Sequence, residues 1–133
     1  MLTFIHYAIA GIAPIEAIRQ TGGDGGEYVI DFAEEATDQQ RTDAQTALSG
    51  IVADAQNAEA IAEIKGRASR DIYLMAPIWK QRNALARTLE LVESLARGET
   101  LTDDEEAELA TYRALWDQIK QRREQSDAEE AAL

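Results

Sequence analysis

The 133-residue sequence has no cysteine, a single histidine and only two prolines. Without cysteine the chain can form neither a disulfide bond nor a thiol nucleophile. It contains no run of 18 apolar residues, so the sequence predicts no membrane span. Aromatic residues make up only 6% of the chain, and much of its 45% hydrophobic content is alanine. This composition favours closely packed helices over a deep pocket, and we expect no small-molecule substrate.

Positive charge is also scarce: 13 Lys and Arg stand against 25 Asp and Glu, which gives a net charge of -12. Residues 1–50 and residues 101–133 each carry a net charge of -6, whereas residues 51–100 are balanced. Direct binding to nucleic acid is therefore disfavoured, because counterion release from phosphates requires clustered cations. We interpret the acidic ends as a source of solubility, and docking on a basic partner is the alternative.

The central segment departs from this balance. Between Lys65 and Arg87 lie six cations and a single acid, Asp71. Tyr73 and Trp79 are interleaved with them, an arrangement that also occurs in single-stranded nucleic-acid sites. We expect instead that these cations pair with the acidic start of the last helix or with the acidic N-terminal third.

The first third of the chain predicts β structure. Residues 3–9 are rich in β-branched and aromatic types and lack the basic start of an export signal, so we predict a strand there. Residues 15–20 and 28–32 flank a turn of four glycines and Asp24 at 22–26. Glycine and aspartate supply the positive φ angles of a tight reversal, which predicts a β-hairpin. No Lys follows these glycines, which disfavours a phosphate-binding loop. Residues 1–35 are therefore predicted to form a β-hairpin-containing N-terminal element.

Residues 36–127 are predicted to form a helical region of about four helices. Capping boxes at 37–40 and 102–105 indicate two helix starts, and Gly50 indicates a helix end. Pro77 predicts a break followed by a new helix. The short connection near residues 97–101 predicts that the last two helices pack as an antiparallel hairpin. The expected fold is mainly α with a small N-terminal β element (α+β), with a frayed acidic tail at residues 128–133.

Two apolar stripes predict the core of this helical hairpin. Leu85, Leu89 and Val92 share one face of the third predicted helix. The last helix carries a heptad-like stripe formed by Leu109, Tyr112, Trp116 and Ile119. We expect the two stripes to face each other and to supply most of the stability.

The sequence contains no recognisable catalytic or metal-binding constellation. His6 lies alone in an apolar run, and no Ser occupies a Gly-x-Ser-x-Gly elbow. The carboxylates at 103–108 lie in the solvated first turns of a helix, where its dipole favours them. Asp24 lacks the ligand ladder of a calcium-binding loop. We expect a protein that is not an enzyme and that has no catalytic residue, no cofactor and no metal.

The residues best suited to a partner interface surround Pro77. Trp79 and Asn83 lie one helical turn apart and share a face, whereas Lys80 and Arg87 share another. A Trp in the first turn of a helix is either a core anchor or an interface anchor, and Trp beside Arg has hot-spot chemistry. Edge residues of the predicted first strand are suited to extending the sheet of a partner. The candidate interface comprises Phe4, Ile5, Tyr7, Tyr73, Trp79, Lys80, Arg82, Asn83 and Arg87.

Two stretches of the chain, 28–48 and 72–127, resemble small tail-associated proteins of bacteriophages and prophages. That family carries a Tyr-Pro-x-Trp-Lys-Gln-x-Asn core, a Leu-rich helix and a late Trp-x-x-Ile…Arg-x-x-Ser signature. The core appears here as Pro77-Ile78-Trp79-Lys80-Gln81-Arg82-Asn83, with Ala76 in the place of the family's Tyr. The late signature appears as Trp116, Ile119, Lys120, Arg123 and Ser126. The upstream block runs from Tyr28-Val29-Ile30-Asp31-Phe32 through Thr37, Gln40 and Arg41.

The resemblance implies a non-enzymatic protein, made in the host cytoplasm, that is part of the virion tail and docks on tail-fibre or baseplate proteins. One alternative is a tail-fibre assembly chaperone that is absent from the mature virion. An alternative of another class is an acidic DNA mimic that inhibits a host protein, which would require carboxylates spaced like phosphates. The three-fold symmetry of fibres is compatible with a trimer.

Overall fold

The computed structural model describes residues 1–23 and 26–133. The predicted turn positions Asp24 and Gly25 lie outside the described residues. The elements in chain order are α1 (Leu2–Ala10), β1 (Ile15–Gln20), β2 (Tyr28–Phe32), α2 (Asp38–Met75), α3 (Ile78–Ala96) and α4 (Asp103–Ala131). This order confirms the predicted fold class, mainly α with a small N-terminal β element and a final helical hairpin.

The chain divides into an N-terminal unit, Met1–Ile61, and a C-terminal unit, Ala62–Leu133. The boundary falls inside α2, whereas the sequence predicts it after residue 35. The difference arises because the first turns of α2 pack on the same core as the hairpin: Ala44 and Ala55 of α2 are buried with Ile5, Ile9 and Ala13.

Residues 3–9 form helix α1, and the predicted strand is wrong. Ile5 and Ile9 lie one helical turn apart on the same side of α1, and both are fully buried. Phe4 and Tyr7 lie on other sides of the helix and are exposed. Burial of the Ile5–Ile9 pair outweighs the β preference of these residue types, because tertiary contacts routinely override propensity.

The predicted β-hairpin is confirmed. β1 and β2 pair antiparallel, with Ile18 opposite Ile30 and Gln20 opposite Tyr28. Gly22 and Gly23 adopt φ angles of 86° and 79°, which only glycine occupies without strain. Arg19 on β1 forms an ion pair with Asp31 on β2, and this guanidinium lowers the pKa of the Asp31 carboxyl.

The start of α2 follows the predicted capping box. The Thr37 amide donates to Gln40 Oε1 at 3.0 Å, and the Gln40 amide donates to Thr37 Oγ1 at 3.3 Å. Arg41 then reaches back to the loop after β2, donating to Ala36 O at 3.0 Å and to Ala33 O at 3.2 Å. Its guanidinium carbon also lies 5.3 Å from the centroid of the Phe32 ring. These contacts fix the path of the chain from the hairpin into the helix.

The predicted helix end at Gly50 is wrong, because α2 continues without interruption to Met75. A glycine inside a helix costs about 1 kcal/mol relative to alanine. Leu48, Ile51 and Val52 flank Gly50 and pack against the buried cluster of the N-terminal unit, which offsets this cost. The two helices predicted between residues 37 and 75 are therefore one.

The predicted break at Pro77 is confirmed. Pro77 has ψ 153° and occupies the N-cap of α3. Ala76 is fully buried, and its carbonyl accepts a hydrogen bond of 2.7 Å from Gln81 Nε2. The chain therefore turns sharply between α2 and α3.

α3 and α4 form the predicted helical hairpin, but α3 packs through a different face. The buried residues of α3 are Ala84 and Leu91, and Leu91 clusters with Leu101 and Leu109. The predicted core residues of α3, Leu85, Leu89 and Val92, are 50%, 54% and 43% exposed. Apolar spacing could not separate the two faces, because α3 carries apolar residues on both. The small Ala84 side chain lets α3 lie close to its neighbours, which favours the observed face.

α4 begins with the predicted capping box at Thr102 and Glu105. Tyr112 and Trp116 of the predicted stripe are half-buried, and Leu109 and Ile119 are buried. The helix extends to Ala131, so most of the tail that is predicted to fray is helical. Glu129 and Glu130 form salt bridges with Arg67 and Lys65 of α2, at 3.4 Å and 3.2 Å.

Substituting leucines of the two faces of α3 tests which one forms the core. Leu91→Ala should lower the free energy of unfolding by about 2–5 kcal/mol, because it leaves a cavity next to Leu101 and Leu109. Leu89→Ala, two residues away at an exposed position on another side of the helix, should change it by less than about 0.5 kcal/mol. Urea denaturation at low protein concentration measures both. Equal losses for the two variants would contradict the observed packing.

Candidate functional site

An open groove of about 660 Å³ lies where the end of α2, the start of α3 and the end of α4 meet within the C-terminal unit. We call it the junction groove. Its apolar part comes from Ala68, Ile72 and Tyr73 of α2 and from Ile78 of α3. Its polar part is formed by Lys65, Ser69, Gln81, Arg123, Ser126, Asp127 and Glu130.

Local chain geometry places these side chains together. The turn at Pro77 brings Ile78 to the same groove as Ile72 and Tyr73, although a continuous helix would separate them along its axis. Ser126 of α4 is buried, and its small side chain leaves room for the groove beside it. The hydrogen bond from Gln81 to the Ala76 carbonyl satisfies a backbone acceptor at the end of α2.

The charges of the junction groove are partly paired. Lys65 forms a salt bridge with Glu130 at 3.2 Å, so these two side chains neutralise each other. Arg123 also lines the groove, and it takes part in no salt bridge within residues 1–23 and 26–133. A ligand with a carboxylate could therefore pair with Arg123 without breaking an ion pair in this part of the chain.

The structure places the predicted interface residues of the C-terminal unit in two groups. Tyr73 and Trp79 are 58% and 65% exposed, and Lys80, Arg82 and Asn83 are exposed as well. The core interpretation of Trp79 is therefore wrong. Tyr73 lines the junction groove, whereas Trp79 does not, although its chain neighbour Ile78 does.

Arg87 belongs to the fold rather than to this exposed group. Its guanidinium lies 3.5 Å from Glu105, 3.1 Å from Glu108 and 3.0 Å from Glu90. The carboxylates of Glu90 and Glu108 raise the pKa of Arg87, first through the hydrogen bond to Glu90. Arg87 thus ties α3 to the first turns of α4.

The predicted interface residues of α1 do not form a strand edge. Ile5 is fully buried, so it cannot contact a partner directly. Phe4 and Tyr7 are exposed on a helix, and the predicted extension of a partner's sheet through residues 4–9 is wrong. Helical backbone amides and carbonyls are already bonded within the helix, so α1 offers no strand edge.

Three of the six cations of the basic segment form salt bridges in the described part of the chain, and only one of them has a partner that the sequence predicts. Arg87 binds the acidic start of α4, as expected. Lys65 and Arg67 pair instead with the end of α4, which the sequence predicts to fray. Asp71, the one acid of the segment, pairs with Arg122 at 2.8 Å.

Sequence reasoning did not select Ile72, Ile78, Arg123 or Ser126 as interface residues. Arg123 and Ser126 lie about 50 residues from Tyr73 along the chain, so no local pattern connects them. The only signal was their presence in the late signature of the resemblance. The structure places both side chains beside Tyr73 because α4 returns to the end of α2.

No cluster of three or more His, Asp or Glu side chains that could hold a metal ion occurs in the described part of the chain. The His6 ring lies edge-on to Tyr7, with their centroids 6.0 Å apart. No helix within the described ranges is long and apolar enough to cross a membrane.

Comparison of the chain with protein families, with curated proteins and with solved structures finds no match.

Glu105 makes the stability of the helical hairpin depend on pH. The Thr102 amide donates to its carboxylate at 3.0 Å, and this hydrogen bond is the main cause that lowers the pKa of Glu105 from 4.5. Because the folded pKa is lowered, this contribution is fully present above the unfolded pKa. It is lost as the pH falls through the folded value.

Glu105→Gln provides the matched control, because Gln also accepts the Thr102 amide hydrogen bond but does not titrate. We expect the melting temperature of the variant to fall less than that of the wild type between about pH 6 and pH 3. Asp31 and Glu99 titrate in both proteins and cancel in the difference. Parallel melting-temperature curves would contradict the assignment.

Proposed function

We propose that this protein is a non-enzymatic docking component of a bacteriophage tail and that its junction groove binds a tail-fibre or baseplate protein. One observation carries the proposal. Both of the late sequence blocks that resemble phage tail proteins contribute to this groove. Ile78 belongs to the core Pro77–Asn83, and Ile72 and Tyr73 lie just before that core. Arg123 and Ser126 belong to the late signature.

The exposed side chains have the chemistry of a protein interface. Aromatic residues and arginine are enriched among the residues that dominate binding energy. Tyr73 and Trp79 are both more than half exposed, and Leu74 between them in sequence is 79% exposed. Exposed apolar residues in such a cluster mark interaction surfaces more often than single exposed ones do.

The shape and charge of the groove define the kind of segment that fits it. The groove is open along its length, so it suits an extended or helical stretch of protein better than an enclosed small molecule. Its floor would receive an apolar side chain against Ile72 and Ile78. Arg123 would pair with a carboxylate of the same segment.

The competing functions differ in measurable ways. A fibre-assembly chaperone would use the same groove but would be absent from purified particles. An acidic DNA mimic is less well supported, because Glu105 and Glu108 are bound to Arg87 and are therefore not free to imitate phosphates. Mass spectrometry of purified virions distinguishes a virion component from an assembly factor.

A binding experiment with tagged protein tests the groove through Tyr73 and the exposed surface next to it in the chain through Trp79. Tyr73→Ala and Trp79→Ala should each reduce capture of the tail protein by at least about tenfold, because aromatic anchors dominate interfaces. Tyr7→Ala is the matched control, since Tyr7 is a still more exposed tyrosine on α1, outside the groove. Quantitative mass spectrometry of the captured proteins is the measurement. Equal capture by all three variants, or capture of no tail protein by the wild type, would refute the proposal.

A further inference from the structure

The exposed side of α3 carries a second apolar surface with heptad spacing. Its members recur at intervals of four and three residues: Ile78, Arg82, Leu85, Leu89, Val92 and Ala96. We call this the α3 stripe. Ile78, Leu85, Leu89 and Val92 are all more than two-fifths exposed. Intervals of four and three are those of the a and d positions that form the seam between two supercoiled helices.

Packing of α3 on α4 does not cover the stripe. Ala84 and Leu91, the buried residues of α3, lie on a different side of the helix from Leu85 and Leu89. The stripe therefore runs the 19-residue length of α3 and is apolar at every position except Arg82. Soluble proteins rarely leave such a contiguous apolar surface without an occupant.

The spacing of the stripe is self-complementary when a second α3 runs in the opposite direction. With the two-fold axis between Leu85 and Leu89, each Leu85 faces Leu89 of the second copy. The same alignment sets Arg82 against Val92 and Ile78 against Ala96. Every a-type position then meets a d-type position. A closed two-fold interface requires this reciprocity.

The charges beside the stripe favour the same arrangement. The first half of α3 carries Lys80 and Arg82, whereas the second half carries Glu90 and Glu93. Antiparallel alignment brings Arg82 next to Glu93 of the second copy, but parallel alignment would bring like charges together. Neither Arg82 nor Glu93 takes part in a salt bridge in the chain as far as the structure describes it.

We propose that α3 pairs antiparallel with α3 of a second copy of this chain through the α3 stripe, which gives a two-fold-symmetric dimer. This inference goes beyond the docking function, which uses the junction groove. Ile78 borders both surfaces, so the variants that separate them are Leu89 and Tyr73 substitutions.

A 19-residue helix is about 28 Å long, and a single helix pair buries an area at the low end of specific interfaces. The dimer should therefore dissociate at roughly micromolar concentrations.

Analytical ultracentrifugation over a range of concentrations tests the dimer. The wild type should shift from monomer to dimer as concentration rises, and Leu89→Asp should remain monomeric. Leu74→Asp, at a still more exposed leucine outside the stripe, is the matched control and should dimerise like the wild type. The circular-dichroism spectrum at low concentration should be the same for all three. A wild type that stays monomeric, a trimer, or a dimer that survives Leu89→Asp would overturn the proposal.

Charge reversal tests the predicted neighbours Arg82 and Glu93. Arg82→Glu and Glu93→Arg should each weaken dimerisation by about tenfold, because each variant places like charges together. The double variant should recover most of this loss, since it restores the pair with opposite polarity. Losses that simply add in the double variant would show that the two residues do not meet.

Cysteine cross-linking tests the direction of pairing, because the chain has no cysteine of its own. A mixture of Ile78→Cys and Ala96→Cys proteins should give a cross-linked heterodimer on mild oxidation. Ile78→Cys alone should give little, since antiparallel helices hold the two copies of residue 78 far apart. Efficient cross-linking of Ile78→Cys alone would establish a parallel pair and contradict the proposal.

The two proposals can fail independently. Leu89→Asp should still capture the tail protein through the junction groove, and Tyr73→Ala should still dimerise. Loss of dimerisation in Tyr73→Ala would show that the groove, not the stripe, is the self-association surface. That result would overturn the α3 pairing. Binding of a tail protein to the groove is measured separately by the capture experiment.

Discussion

Packing of Leu91 against Leu101 and Leu109 determines which surfaces of the C-terminal unit face water. Once α3 lies on α4 through this cluster, Arg87 reaches the carboxylates at the start of α4. The opposite apolar side of α3 is then left exposed. The same packing returns the end of α4 to the end of α2, where Arg123 and Ser126 complete the junction groove. Both surfaces that we connect with binding therefore depend on one helix–helix contact.

Local sequence signals predicted the parts of the fold that depend on local chemistry. The two capping boxes, the break at Pro77 and the strands 15–20 and 28–32 each follow from neighbouring residues. The helix at α1 and the continuity of α2 through Gly50 depend on burial against distant residues, and propensity therefore gave the wrong answer. The buried face of α3 was also beyond prediction. Its sequence carries two apolar faces, and only the approach of α4 decides between them.

The residues of the candidate site likewise divide into those that the sequence could identify and those that required the tertiary structure. The sequence identified Tyr73 and Trp79 as unusual, and their exposure agrees with an interface rather than a core. It predicted that cations of the basic segment pair with the start of α4 but still placed Arg87 in the interface, and only the structure shows three carboxylates holding Arg87. Arg123 lies on a third element, so its place beside Tyr73 required the tertiary structure.

The contacts of Arg41 suggest how distant relatives of this chain could be recognised. Arg41 binds two carbonyls, Ala33 O and Ala36 O, and lies over the Phe32 ring at the same time. Lysine keeps the charge but has neither the planar fork for two carbonyls nor the flat surface for stacking. The position should therefore tolerate arginine alone, nine residues after an aromatic residue that ends a strand. That spacing can be sought in sequences whose overall identity is too low to align.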